Sequence, residues 1–139
     1  MPSLADSAAA VAHAFAEAIS RRNLGELLAL MTDDHAMIDS LGNRLAGRDR
    51  LKAGWEGYFR MVPDYAITVE ETFSQGPVVL LFGTAHGTYA VGGALLTENR
   101  WTTPAAWRVL VRDGRVAEWR VYADNEPIRQ IIARGQKPQ

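Results

Sequence analysis

The sequence predicts an α+β fold: a cone-shaped, strongly curved sheet, antiparallel or mixed, that wraps N-terminal helices, with a short C-terminal helix. Three observations carry this expectation. Before Pro63, three segments place their apolar residues at helical spacing. From Tyr65 to Ala123 the pattern turns extended and alternating, and after Pro127 it becomes helical again. Helices first and consecutive strands afterwards is the order of an α+β domain, and extended stretches as long as 95–111 have to curve.

The first helix begins where Ser3 and Asp6 resemble a capping box, and Val11, Phe15, Ala18 and Ile19 give it one apolar face. Arg21, Arg22 and Asn23 close it. Asn23, with Glu26 three residues on, caps a second helix that carries Leu24, Leu27, Leu28 and Met31. Thr32–Asp33–Asp34 turns into a short strand, His35–Asp39, and Leu41–Gly42–Asn43 turns out of it. On that strand His35, Met37 and Asp39 share a face. From Asp49 to Met61, Leu51, Trp55, Tyr58 and Phe59 line one side of a third helix, which Pro63 stops.

The extended half divides at its turn residues. Residues 65–73 alternate, Gln75–Gly76–Pro77 breaks, and 78–89 reads as a strand. Residues 90–94 (AVGGA) make a turn into the long stretch 95–111. Pro104 denies that stretch one ladder donor, which predicts a bulge or an edge there. Arg112–Asp113–Gly114 is a hairpin turn into 115–123. Residues 124–127 (DNEP) start the last helix, with Ile128, Ile131 and Ile132 on one side.

Composition narrows the function classes. A chain of 139 residues fits a single domain, and 47% apolar with 22% charged residues is an ordinary globular balance. A net charge of −1 makes no electrostatic case for nucleic acid or an anionic membrane. Without cysteine there is no disulfide, thiol nucleophile or thiolate metal site. His13, His35 and His86 are scattered without metal-ligand spacing, so no metal is expected, and no phosphate-loop, dinucleotide, haem or flavin motif implies a cofactor. The alanine-rich start lacks the basic region of a signal peptide, and no apolar run reaches spanning length. A cytoplasmic protein without a membrane partner is the expectation.

The order of elements, with residues 31–55 (MTDDHAMIDSLGNRLAGRDRLKAGW) after the second helix and 111–128 (VRDGRVAEWRVYADNEPI) near the end, resembles the nuclear transport factor 2-like superfamily. Within it the chain is similar to the ketosteroid-isomerase-like and SnoaL-like polyketide-cyclase-like proteins, over nearly its whole length. The resemblance implies a cone with an apolar pocket at its open end. Asp33 and Asp34 match an aspartate pair of the isomerases, Asp39 falls on their catalytic aspartate, and Gly47–Arg48 matches the opening of their third helix. Their two oxyanion donors are replaced by Phe15 and Trp107, so the base is kept and its partners are changed. The limonene-epoxide hydrolases resemble the chain at Trp119, but Val121 stands where they carry a catalytic aspartate.

That likeness defines candidate site residues. Asp39 is the candidate general base. Desolvation in an apolar cone is expected to raise its pKa and strengthen it as a base. The alternative is an Asx-turn residue in water. Trp55, Tyr58, Phe59, Asn99, Trp101, Trp107, Trp119 and Val121 are candidate substrate contacts, with the indoles, Tyr58 and Asn99 as neutral donors. His86 is either a second acid–base group opposite Asp39 or a satisfied surface or core histidine, and Asp124 is either such a group or a helix cap. Arg100, Arg108, Arg112 and Arg120 fall on outward strand positions, which with Glu98 and Glu118 predicts a charged outer face. Two functions follow: an isomerase, cyclase or lyase acting on an apolar, ring-containing molecule through Asp39, or a non-catalytic module that binds such a molecule or dimerises. Recognition of another protein on the outer face is a third. The resemblance also implies a homodimer.

Overall fold

Helix α1 (Leu4–Ser20) buries Ala8, Ala12, Phe15, Ala16, Ala18 and Ile19 along one face. These facts come from a computed structural model that describes residues 4–136; Ser3 of the expected capping box lies outside the described residues. The helix is closed by Arg22 at φ 53°, with the Arg22 and Asn23 amides donating to the carbonyls of Ile19 and Ala18. Asn23 then caps α2 (Leu24–Ala29), its side-chain oxygen accepting from the Glu26 amide at 3.1 Å.

The second helix is shorter than its apolar spacing predicts. Met31 begins β1 (Met31–Ile38) instead of ending α2, and Thr32–Asp34 belongs to the strand rather than to a turn. Long-range pairing overrides local spacing here. Met31 pairs with Val116, whose amide donates to the Leu30 carbonyl at 2.7 Å. The register between the two strands then breaks until Ala36, so the polar stretch bows outward and leaves Asp33 and Asp34 exposed.

The remaining strands are β2 (Arg44–Ala46), a short one not evident in the sequence, β3 (Ala66–Gln75), β4 (Val78–Thr88), β5 (Arg100–Arg112) and β6 (Arg115–Ala123). They form one open sheet in the order β2-β1-β6-β5-β4-β3, with β1 parallel to β6 and all other neighbours antiparallel. Helix α1 lies on its concave side, α3 (Arg48–Met61) packs between α2 and β1–β2, and α4 (Glu126–Gln136) follows β6. The sheet is the mixed, curved cone expected.

The β5–β6 hairpin turns on Asp113 and Gly114, both at positive φ. The expected strand from Leu95 is shorter: Thr97–Asn99 is a 3-10 turn, and extended backbone begins at Arg100. No bulge marks Pro104, which pairs in register with Thr84. The ladder to β6 begins one residue later, at Ala105 and Ala123, so the proline sits at a local edge. The sheet instead bends where β3 slips between Val69 and Glu71. Gly83 lies opposite, where a Cβ would stand 1.7 Å from the Thr68 carbonyl oxygen, so only glycine admits so close a crossing.

The convex face departs from the charged surface expected. Arg108 and Glu118 do form an ion pair at 3.2 Å, but Phe73, Leu80, Phe82 and Tyr122 are exposed beside them. Phe73 opposes Leu80 and meets Phe82 edge-on at 5.9 Å, while Phe82 and Tyr122 flank Ala106. The apolar residues are therefore contiguous.

Candidate functional site

The cone holds an open-ended cavity of about 620 Å³ between the concave side of β1, β5 and β6, helix α3 and the start of α4. Strand alternation aims Trp101, Thr103, Ala105 and Trp107 inward from β5, and Trp119 and Val121 from β6. Trp55 and Tyr58 close it from α3, and Ile128 and Ile132 from α4. The interior is aromatic: Trp107 and Trp119 stack at 6.1 Å, and the chain Trp55–Tyr58–Tyr65–Trp101 runs in steps of 6.4, 4.9 and 6.0 Å.

Tyr65 is a member that strand reading missed, because it stands just ahead of β3 in the loop after α3. Several contacts fix it there. The Tyr65 carbonyl accepts from the Arg22 guanidinium at 3.0 Å, and both carboxylate oxygens of neighbouring Asp64 accept from Thr88, each at 2.7 Å. The loop also seats on Gly87, where a Cβ would lie 2.3 Å from Val62 Cγ1 and 3.4 Å from Tyr65 Cα. Burial pushes the phenols of Tyr58 and Tyr65 far above their ordinary pKa, so both stay neutral.

The polar interior is sparse. The indole N–H groups of Trp55 and Trp101 are buried and have no hydrogen-bond partner among the described residues. Polar and charged lining residues gather at the rim, where Asn43, Arg44 and Arg129 are exposed.

Asp39 belongs to that rim. It lies one residue past β1 and lines the cavity, and it also organises a turn. One carboxylate oxygen accepts from the Leu41 and Asn43 amides, each at 2.9 Å, and the other from the Asn43 side-chain amide at 3.1 Å. Burial acts to raise its pKa, but the Asn43 amide, the Asn43 side chain and the Leu41 amide outweigh it. The carboxyl is held below its usual value. The expected rise is thus reversed, because the donors satisfy the charged form. The pocket and Asx-turn readings of this residue both describe its position.

Of the two readings of His86, the structure places the side chain away from the cavity. The residue follows Ala85, which lines the cavity, so it points to the opposite face of β4 and does not oppose Asp39. Asp124 accepts from the Glu126 amide at 2.9 Å as a cap of α4 and does not line the cavity. Phe59 backs Trp55 at 5.4 Å, and Asn99 donates to the Tyr89 carbonyl at 3.3 Å, so neither lines the cavity. Trp55, Tyr58, Trp101, Trp107, Trp119 and Val121 all do. Phe15 is buried behind them, 4.8 Å from Trp119 and 5.6 Å from His35.

His35 lies deeper still, fully buried, and its Nδ1–H donates to the Val116 carbonyl at 2.6 Å. Burial pushes the imidazole below its ordinary pKa, against the opposing effects of that bond, Asp34 and Glu118. Arg48 donates to the Leu28 carbonyl at 3.1 Å and pairs with Asp33 at 3.6 Å, tying α2 to the start of α3. Among the described residues no group of three or more histidine, aspartate or glutamate side chains is placed to hold a metal ion.

This architecture matches a known family model, that of the SnoaL-like domain, over residues 12–119. The chain belongs to the SnoaL-like domain family. Solved structures agree with that fold. A SnoaL-like polyketide cyclase from Jannaschia sp. CCS1 superposes with a TM-score of 0.81 at 15% identity, covering 99% of this chain and 98% of that one. Another SnoaL-like polyketide cyclase, from Shewanella denitrificans OS-217, gives 0.78 at 15% identity, with 91% and 97% covered. An LEH-like epoxide hydrolase of M. tuberculosis gives 0.74 at 20% identity, with 93% and 91% covered. At such identities these SnoaL-like and related structures share the fold with this chain, and fold is not function. Among curated proteins, none matches the sequence. No described helix of this SnoaL-like chain is long and apolar enough to cross a membrane.

Proposed function

We propose that this SnoaL-like protein binds an uncharged, ring-containing small molecule in the aromatic cavity. The observation that carries the reading is an open-ended cavity of about 620 Å³ walled by Trp55, Tyr58, Tyr65, Trp101, Trp107 and Trp119, with its charges confined to the rim. That volume is typical of small-molecule sites, and aromatic walls with few polar groups favour planar apolar ligands. Turnover through an Asp39 base receives less support. Its carboxylate is bonded on both oxygens and its pKa is held down, which weakens it as a proton acceptor.

Titration with uncharged fused-ring compounds, followed by quenching of tryptophan emission, tests the reading. Saturable quenching is expected in the wild type, unchanged in Asp39→Asn and lost in Ala105→Phe, which fills the cavity. Absence of saturable quenching across the panel refutes it, and turnover abolished by Asp39→Asn restores the catalytic alternative. The contiguous Phe73, Leu80, Phe82 and Tyr122 also support a homodimer through the convex face. Sedimentation should then give a dimer that Leu80→Arg with Phe82→Arg converts to a monomer.

A further inference from the structure

We propose that residues 91–96, in the loop between β4 and β5, form a lid that folds over the mouth of the cavity when a ligand fills it, adding Val91, Leu95 and Leu96 to the ligand's contacts. The inference rests on the cavity being a ligand site and goes further in naming a movable part of that site. Strand directions place the loop at the mouth. β1, β4 and β6 finish, and β3 and β5 begin, at one end of the sheet. Asp39, Tyr65, Trp101 and Ala123 stand at those strand ends, and all four line the cavity. The stems of the loop are pinned to the same wall. The Ala90 amide donates to the carbonyl of cavity-lining Met61 at 2.8 Å, and the Tyr89 amide to the Asn99 carbonyl at 3.0 Å. Arg134, two residues past cavity-lining Ile132, donates to the Glu98 carbonyl at 3.2 Å.

Between those stems the chain is bound only to itself. Val91 and Ala94 exchange two backbone hydrogen bonds, at 3.1 and 2.9 Å, and among the described residues no hydrogen bond from 91–96 reaches outside the loop. Gly92 and Gly93 turn this small hairpin at φ 57° and 82°, and a Cβ on either would meet nothing within 4 Å, so the tip stands clear of the body. A segment with pinned ends and no bonds to the body opens and closes at low cost. Its apolar side chains supply the drive: Val91, Leu95 and Leu96 are 48%, 49% and 42% exposed. Over an empty mouth they find no surface at contact distance, whereas a ring-containing ligand offers one, so closure follows binding. Three side chains on so small a hairpin make too little surface for a stable protein interface, but enough to cover one face of a ring system.

The chain has no cysteine, so spin labels on Leu41→Cys and Leu95→Cys measure the distance across the mouth with no further substitution. Both positions are exposed, and Leu41 follows β1, on the far side of β6 from the loop. The probes are naphthalene, fluorene and pyrene, with binding followed by tryptophan quenching. At saturation the distance is expected to shorten by more than about 2 Å and its distribution to narrow. Leu95→Ser with Leu96→Ser should leave association unchanged and speed dissociation of the bound probe roughly tenfold. An unchanged distance at saturating probe overturns the inference and leaves the cavity reading standing. An unchanged dissociation rate overturns it as well, in favour of a subunit contact where the same variant loses its dimer. If none of the three probes quenches, the cavity reading fails, and this inference fails with it.

Discussion

The rim of the cavity at Asp39 and its interior at Trp55 and Trp101 handle polar atoms in opposite ways. Asp39 brings a full charge, and nearly every lone pair it offers is taken by its own turn, by the Leu41 and Asn43 amides and the Asn43 side chain. The indoles bring only a weak dipole each, and their N–H groups are left without a protein acceptor among the described residues. The charged group is therefore the more structural of the two, and the neutral pair keeps hydrogen-bonding capacity that the fold leaves unused. Charge alone is a poor guide to where chemistry or recognition happens; what counts is whether the folded chain has already used the group's hydrogen bonds.

The largest effect should come from breaking the interior. Trp119→Ala removes a side chain that is 1% exposed and packs on both Phe15 and Trp107. It should cost about 3–5 kcal/mol in urea unfolding. A loss below about 1 kcal/mol would mean that the aromatic wall is not part of the core.

A second test probes His35, behind that wall. Its folded pKa is depressed, so the unfolded chain binds the extra proton as the pH falls. Stability should be complete above the ordinary histidine pKa of 6.5 and decline below it until the folded imidazole itself protonates. Over that window the slope approaches about 1.4 kcal/mol per pH unit for one proton. His35→Leu should flatten it, as measured by unfolding at a series of pH values.

The smallest effect sharpens the other side of the comparison. Asp39→Ala removes the acceptor of the turn and should cost about 1 kcal/mol. Asp39→Asn, which keeps a side-chain oxygen for the two amides, should cost less. Because its folded pKa is lowered, the stabilisation from Asp39 is present above the ordinary value of 3.8 and lost as the pH falls through the folded value. Neither substitution should alter ligand affinity, whereas Ala105→Phe, which fills the cavity, should.

Much of this molecule was legible in its sequence. The family resemblance aimed Trp107, Trp119 and Val121 into the cone, and the Asn23–Glu26 spacing identified a cap that forms as read. Residues 115–123 became a strand without revision because the turn before them, Asp113–Gly114, has the required positive φ at both positions. What remained hidden depends on partners distant in sequence. Met31 looks helical until Val116 pairs with it, and β2 is three residues that mean nothing without β1 beside them. Tyr65 reads as the start of a strand, and only Asp64, Thr88, Gly87 and Arg22 turn it into a cavity wall. Asp39 lines the cavity, yet its pKa is lowered where a rise was expected, because Asn43, four residues on, folds back over it.

The parallel pairing of β1 with β6 also sets an order in time. Residues 31–38 find their neighbours at 116–120, so some eighty residues must be present before the centre of the sheet can zip. Contacts so far apart in sequence slow folding and leave strand edges open while they wait. On a ribosome the helices and the β3–β4 hairpin can form early, with Met31, His35 and Ile38 still lacking their β6 neighbours. Assembly of the ligand chamber is then a late event, and variants that weaken the β1–β6 junction should betray themselves first by aggregation during synthesis.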